Sequence, residues 1–301
     1  MIWLGKNRGY LSDWITQRWV QFTGKRVRLN DEPWLDGPSA STKGINESFF
    51  QDWAATRGLR IENPGHHGGI LSDFSKLRGS SLNPSDVHPG VATFYEQTGA
   101  YELDAWAEWC GFFRPFGWLL AVIFSRRLQQ LNVPLSGLDT SRGMTNEVLQ
   151  FRNAESETLE QTAWFRRLRS SGHIIYAGFY SVCRLPAHPD PCVKVVFPLP
   201  NGNAIVIMRA ECRTDQSLVI TSSGQQFGEP GFYFTVNADP GFVWARYVKA
   251  MRESIHVYPA EGDTMRADHV LRLFGVTFLK LHYRMRRNLP STAAFNPSIT
   301  V

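Results

Sequence analysis

Hydrophobic and polar positions follow one rhythm in the first half of this chain and another in the second. Residues 1–85 read as irregular. Turn chemistry recurs at Asn30-Asp31-Glu32-Pro33, at Gly37-Pro38-Ser39-Ala40-Ser41 and at Asn63-Pro64-Gly65-His66-His67-Gly68-Gly69. Short amphipathic pieces at 10–22 and 47–57 lie between these turns. A helical face then begins near Asp86-Val87-His88-Pro89, where proline suits a first turn. Val91, Phe94, Tyr95, Thr98, Ala105 and Trp109 continue it, with Gly99 dividing the run. Pro115 opens a second predicted helix, apolar all round over 116–124 and ended by Pro134. Residues 135–170 read as a polar connector.

From His173 the period becomes two. Short β-type runs occupy 174–180, 193–199, 204–210, 218–222, 232–237, 255–258, 265–274 and 276–283. Pro200-Asn201-Gly202-Asn203, Glu261-Gly262-Asp263 and Gly275 mark tight turns between them. The pattern predicts an α+β fold, with an aromatic-rich helical N-terminal half packed on a C-terminal antiparallel β-sheet. The sheet is expected to be a barrel or strongly curved meander, since closure removes exposed edges. The expected divisions are 1–85, a helical region with its connector at 86–170, a β domain at 171–287 and a tail at 288–301.

Composition changes this picture modestly. The chain has 301 residues, enough for one large or two ordinary domains, and 43% hydrophobic against 20% charged residues is a globular balance. Ten Trp and 20 Phe supply material for ligand pockets as well as for cores. A net charge of +5 invites a nucleic-acid reading. The cations sit in doublets, Arg126-Arg127, Arg166-Arg167 and Arg286-Arg287, at the ends of apolar or amphipathic stretches, and no nucleic-acid-binding signature accompanies them. Nucleic acid is therefore not an expected partner. Four scattered cysteines and a start without a secretory pattern point to a reduced, cytoplasmic protein. The best candidate membrane span, 110–124, is interrupted by Arg114-Pro115 and falls short of the about 20 apolar residues a span needs.

Candidate chemistry concentrates on the last strands. Period-two geometry puts His256 and Tyr258 on one face and Glu253, Ile255 and Val257 on the other. It sets His269 against Asp268, and Lys280, His282 and Arg284 against Leu279, Leu281, Tyr283 and Met285. Three histidines on three strands, if they converge, are equipment for proton transfer. A solvated sheet face is the competing reading of the same stripe. On the predicted helix, Glu102 neighbours Trp106 and Trp109, which makes a carboxyl group under an aromatic lid geometrically possible; an amphipathic helix with its acids in water competes. The His66-His67 loop and the Cys183, His188, Cys192 set lack the spacing of a metal site, and no metal is expected. No dinucleotide, Walker or nucleophile-elbow motif is present, so no cofactor is expected.

The resulting expectation is a pocket for a hydrophobic small molecule between the β domain and the aromatic helices. Tyr95, Trp106, Trp109, Trp118, Tyr258 and Tyr283 would line it. His256, His269 and His282, with Asp268 or Glu102, would supply cofactor-independent acid/base chemistry for a cyclisation, isomerisation, dehydration or hydrolysis. The alternative is a non-catalytic protein that rests on a membrane surface or partner through the amphipathic 112–127 helix.

Overall fold

The computed structural model describes residues 4, 9–40, 45, 47–111, 144–168 and 174–288. In chain order it contains α1 (Leu11–Thr23), β1 (Lys25–Arg28), α2 (Glu47–Arg57), β2 (Leu59–Glu62), α3 (Pro89–Glu96), β3 (Tyr101–Trp109), β4 (Met144–Asn153), β5 (Leu159–Leu168), β6 (Ile174–Leu185), β7 (His188–Leu199) and β8 (Gly202–Cys212). There follow β9 (Leu218–Thr221), β10 (Gly231–Asn237), β11 (Phe242–Tyr247), β12 (Met251–Pro259), β13 (Thr264–Leu273) and β14 (Val276–Arg287).

The two amphipathic pieces at 10–22 and 47–57 form α1 and α2. The Asp13 carboxylate accepts from the Tyr10 backbone N–H at 2.9 Å, which satisfies a donor and places negative charge at the helix start. Pro89 does open α3, and His88 caps it by accepting the Gly90 N–H at 3.1 Å. Helix α3 ends at Glu96. Residues 101–109 are β3, and 144–168 hold β4 and β5 rather than a connector. In β3 Tyr101, Leu103, Ala105, Ala107 and Trp109 alternate with Glu102, Asp104, Trp106 and Glu108, and pairing with β14 fixes the segment as a strand. The break falls at Gly99, where a Cβ would stand 2.3 Å from the Gly65 carbonyl oxygen. The second predicted helix, including Trp118 and the 112–127 stretch, lies outside the described residues, as does the tail from 289.

The expected helical half over a barrel is therefore corrected. Among the described residues the strands form a single open, antiparallel 14-stranded sheet, in the order β2-β4-β5-β6-β7-β8-β9-β12-β13-β14-β3. A branch leaves at β8: its first part, from Gly202 to Ile207, pairs with β10, and its last, from Arg209 to Cys212, with β9. Strand β11 continues the branch to β1. Among the described residues the ladder does not close. The Asn146 side chain on β4 bridges towards the far edge instead, donating to the carbonyl oxygens of Thr98 at 2.8 Å and Tyr101 at 3.0 Å. The β7–β8 and β12–β13 hairpins form around Asn201 and Gly262, both at positive φ, and β13 meets β14 through Phe274-Gly275, both again at positive φ as a type I′ turn requires.

Because strand side chains alternate, the sheet buries two different cores. One face carries Phe151, Phe165, Phe179, Ile205, Ile207 and Tyr233 under Trp34 and the α2 residue Phe50. The other carries Trp164, Tyr180, Val195, Val206, Met208, Val257 and Met285, covered in part by Phe74, Val91 and Phe94.

Candidate ligand cavity

The second face does not fill with side chains. Residues from β3, β5 to β10 and β12 to β14 line one cavity of about 670 Å³, which makes that face of the sheet concave. This volume falls within the range of small-molecule pockets. Its wall is mostly aliphatic and aromatic, including Val195, Phe197, Val206, Ile220, Ile255 and Leu281. Strands build it. Helix α1 contributes Gln17, Trp19 and Val20, and α3 contributes Phe94 and Tyr95. The partly exposed Trp19 and Trp106 mark its rim.

Three strand side chains bring charge or acid/base character to this wall: Arg166 on β5, and Glu253 and His269 on the adjacent β12 and β13. Glu253 is buried, and its Oε2 lies 2.8 Å from His269 Nε2. Arg166 is different. It is 6% exposed, its guanidinium carbon lies 4.2 Å from the ring centre of Trp164, 4.9 Å from Tyr176 and 5.4 Å from Tyr283, and its Nε has no hydrogen-bond partner. No carboxylate forms an ion pair with it among the described residues. Withdrawing such an ion from water costs several kcal/mol. Stacking on aromatic faces returns about 2 kcal/mol where desolvated. The ring cage and a hydrogen bond with the Tyr283 hydroxyl offset part of that cost, and no carboxylate is paired with the cation among the described residues.

Around Arg166 the tyrosines stay protonated. Burial pushes Tyr176 and Tyr180 well above the usual phenol range; their hydroxyls hydrogen-bond each other, and the nearby guanidinium only partly opposes the shift. Tyr283 is raised for the same reason. Gly178 lies between Tyr176 and Tyr180 on this face, and a Cβ there would meet the Tyr176 hydroxyl at 2.9 Å. Trp164 is held by its Nε1–H donating to Asn146 Oδ1.

The three strand histidines do not converge. Ladder partners share a face, and the register aligns His269 with Ile255 and Leu281, on the cavity side. It aligns His256 with Asp268 and His282 on the opposite side. There His282 Nδ1 is 2.6 Å from Asp268 Oδ1, Tyr258 donates to Asp268 Oδ2 at 3.0 Å, and Trp106 stacks on His282. His256 Nε2 meets Ser217 Oγ at 2.7 Å; burial, then Arg213, lowers its pKa. Arg284 pairs with Asp104 at 2.7 Å on this same polar face, the solvated side of an antiparallel sheet. His256, Asp268 and His282 are cross-strand neighbours on the polar face, whereas His269 pairs with Glu253 on the cavity face and Glu102 stands on β3, so the five residues do not form one site. Glu102 and Trp106 stand on the polar face of β3 while Trp109 stands on the cavity face, so the expected carboxyl under a helical aromatic lid is absent from β3.

Of the expected ligand-binding residues, Tyr95, Trp109 and Tyr283 line the cavity, Trp106 reaches only its rim from the polar face of the edge strand β3, Tyr258 sits on the opposite face, and Trp118 is outside the described residues. His66 and His67 are exposed, on a 3-10 turn packed beside residues 98–100. Cys183 and Cys192 face each other across β6 and β7 as free thiols, and burial pushes Cys183 up to about 11. Sequence reasoning missed Arg166. The available signal was the period-two reading of 159–168, which puts Thr162, Trp164 and Arg166 on one face and Phe165 and Arg167 on the other.

No family model matches the chain, and no solved structure matches it. The chain is 25% identical over 268 residues to a Bacillus subtilis (strain 168) protein named "Uncharacterized membrane protein YndJ". The match takes in 85% of this chain and 45% of that protein, so the chain spans less than half the length of its relative. Among the described residues, no helix is long and apolar enough to cross a membrane. The relative's name nevertheless counts against the cytoplasmic placement expected from the sequence, which is withdrawn.

Proposed function

We propose that this chain binds an apolar small molecule in the cavity on the concave face of its sheet. The observation that carries this reading is the continuous apolar wall of about 670 Å³, built from strands rather than loops. A rigid ladder holds such a wall open where a helical core would collapse around the same side chains. The test is saturable uptake of the fluorescent probe N-phenyl-1-naphthylamine, displaced by dodecanol. Ala267 lines the wall opposite Val257 and Tyr283, and Ala267→Phe is expected to weaken dodecanol binding roughly tenfold or more by filling the space. Uptake that never saturates, or that the filled variant leaves unchanged, sinks the proposal.

A second reading concerns where the protein works. Leu11, Ile15, Trp19 and Phe22 form one stripe on α1, and all four are exposed, Phe22 at 84%. Arg18, Lys25, Arg26 and Arg28 lie on or just after this helix. Apolar side chains beside basic ones on a surface helix fit contact with an anionic membrane surface, and α1 also forms part of the cavity rim. Vesicles containing phosphatidylglycerol should carry the protein upward in a flotation gradient, and Ile15→Ser with Phe22→Ser should lower the bound fraction by about fivefold. Equal flotation of both proteins excludes α1 as the contact.

A further inference from the structure

We infer that the cavity takes an anionic amphiphile, a single apolar chain ending in a carboxylate or phosphate monoester, with Arg166 as the anchor of its head. This rests on the reading of the cavity as a ligand site and adds the chemistry of the ligand to it. The apolar wall asks for a tail. The head is specified by a cation that is 6% exposed, has an unpartnered Nε and has no described carboxylate in ion-pairing contact.

The surrounding groups sharpen the choice. Two carboxylates line the cavity, Asp13 on α1 and Glu253, which His269 engages at 2.8 Å, and neither forms an ion pair with Arg166 among the described residues. The rings of Trp164, Tyr176 and Tyr283 surround the guanidinium carbon and the Tyr283 hydroxyl hydrogen-bonds the group, while its Nε, without a partner, is left to a planar or tetrahedral oxyanion. Tyr176 and Tyr283 keep their hydroxyl protons because burial raises both, so they supply no negative charge of their own. An uncharged ligand of the same length would fill the apolar wall but leave the guanidinium without a counterion. A small free anion would pair with it but leave the wall in contact with water.

The experiment compares laurate, dodecyl phosphate, dodecanol and inorganic phosphate by calorimetric titration of the full chain at one ionic strength. Laurate or dodecyl phosphate should bind at least tenfold tighter than dodecanol, and inorganic phosphate at least a hundredfold weaker than dodecyl phosphate. Arg166→Met should abolish the preference for the charged heads while preserving dodecanol binding, and Arg166→Lys should retain part of it. Removing an uncompensated buried charge does not require the fold to weaken, and a thermal melt of each variant without ligand establishes that it is folded. If Arg166→Met does not fold, Arg166→Lys and Arg166→Gln carry the comparison. Dodecanol binding as tight as laurate, or a preference that survives Arg166→Met, overturns the anchor while the cavity reading stands. Inorganic phosphate binding as tightly as dodecyl phosphate overturns the amphiphile. Failure of every chain-bearing probe to bind is the failure of the cavity reading itself.

Discussion

Phe179→Ala is expected to destabilise the protein by about 3–5 kcal/mol, a large part of the stability of an ordinary domain. Phe179 is 1% exposed on β6, with ring centres 5.5 Å from Phe151, 5.9 Å from Phe50 and 6.2 Å from Phe49. Its ladder neighbours Ala163 and Val196 are themselves buried, and strands paired on both sides cannot close over the lost ring. Urea unfolding followed by tryptophan fluorescence measures the loss, and Phe179→Leu should recover more than half of it by refilling most of the volume. The same variant also tests the two-faced sheet. Phe179 and Tyr180 point in opposite directions, so under folded conditions Phe179→Ala should leave probe binding within about twofold of the unchanged protein. A large fall in affinity alongside full folding would contradict the separation of the cores.

Gly202→Ala is expected to cost about 3 kcal/mol, for a reason unrelated to turn flexibility. A Cβ at Gly202 would lie 2.0 Å from the Thr235 carbonyl oxygen and 2.9 Å from its carbonyl carbon. Those atoms belong to β10, which is held between β8 and β11 and has no free direction to move. Gly262→Ala is the control. Gly262 has φ +63° with nothing within 4 Å of the added carbon, so the penalty there is the local one of left-handed backbone, about 1 kcal/mol. Unfolding midpoints in urea separate the two cases. Equal costs would mean that the sheet yields at β10 and that the branch at β8 is softer than its pairing implies.

These two sites show where sequence information runs out. The period-two runs after residue 173 announced most of the strands from β6 to β14, and they assigned His256, His269 and His282 to faces as the structure does. Alternation is a property of the backbone, so a strand reveals its two faces without reference to its neighbours. Amphipathic spacing located α1 and α2, and the proline rule the start of α3, for the same local reason. Locality also explains the errors. Residues 101–109 carry apolar side chains at both helical and strand spacings, and only the partner β14, far along the chain, selects the strand. In 144–168 each β face mixes polar with apolar residues, which reads as a connector until β2 and β6 are laid on either side. Arg166 looked like half of a surface doublet because a single sequence cannot say which face of a strand will close over a cavity. Three strand histidines looked convergent because register was unspecified, and one residue of register moves every side chain to the other face. By itself, the sequence determined the period of its elements, their turns and the facing of side chains along each strand. The tertiary structure alone decided which strands pair, that their sheet stays open and curved, and that an uncompensated arginine ends up inside, because each of these depends on contacts between residues distant in the chain.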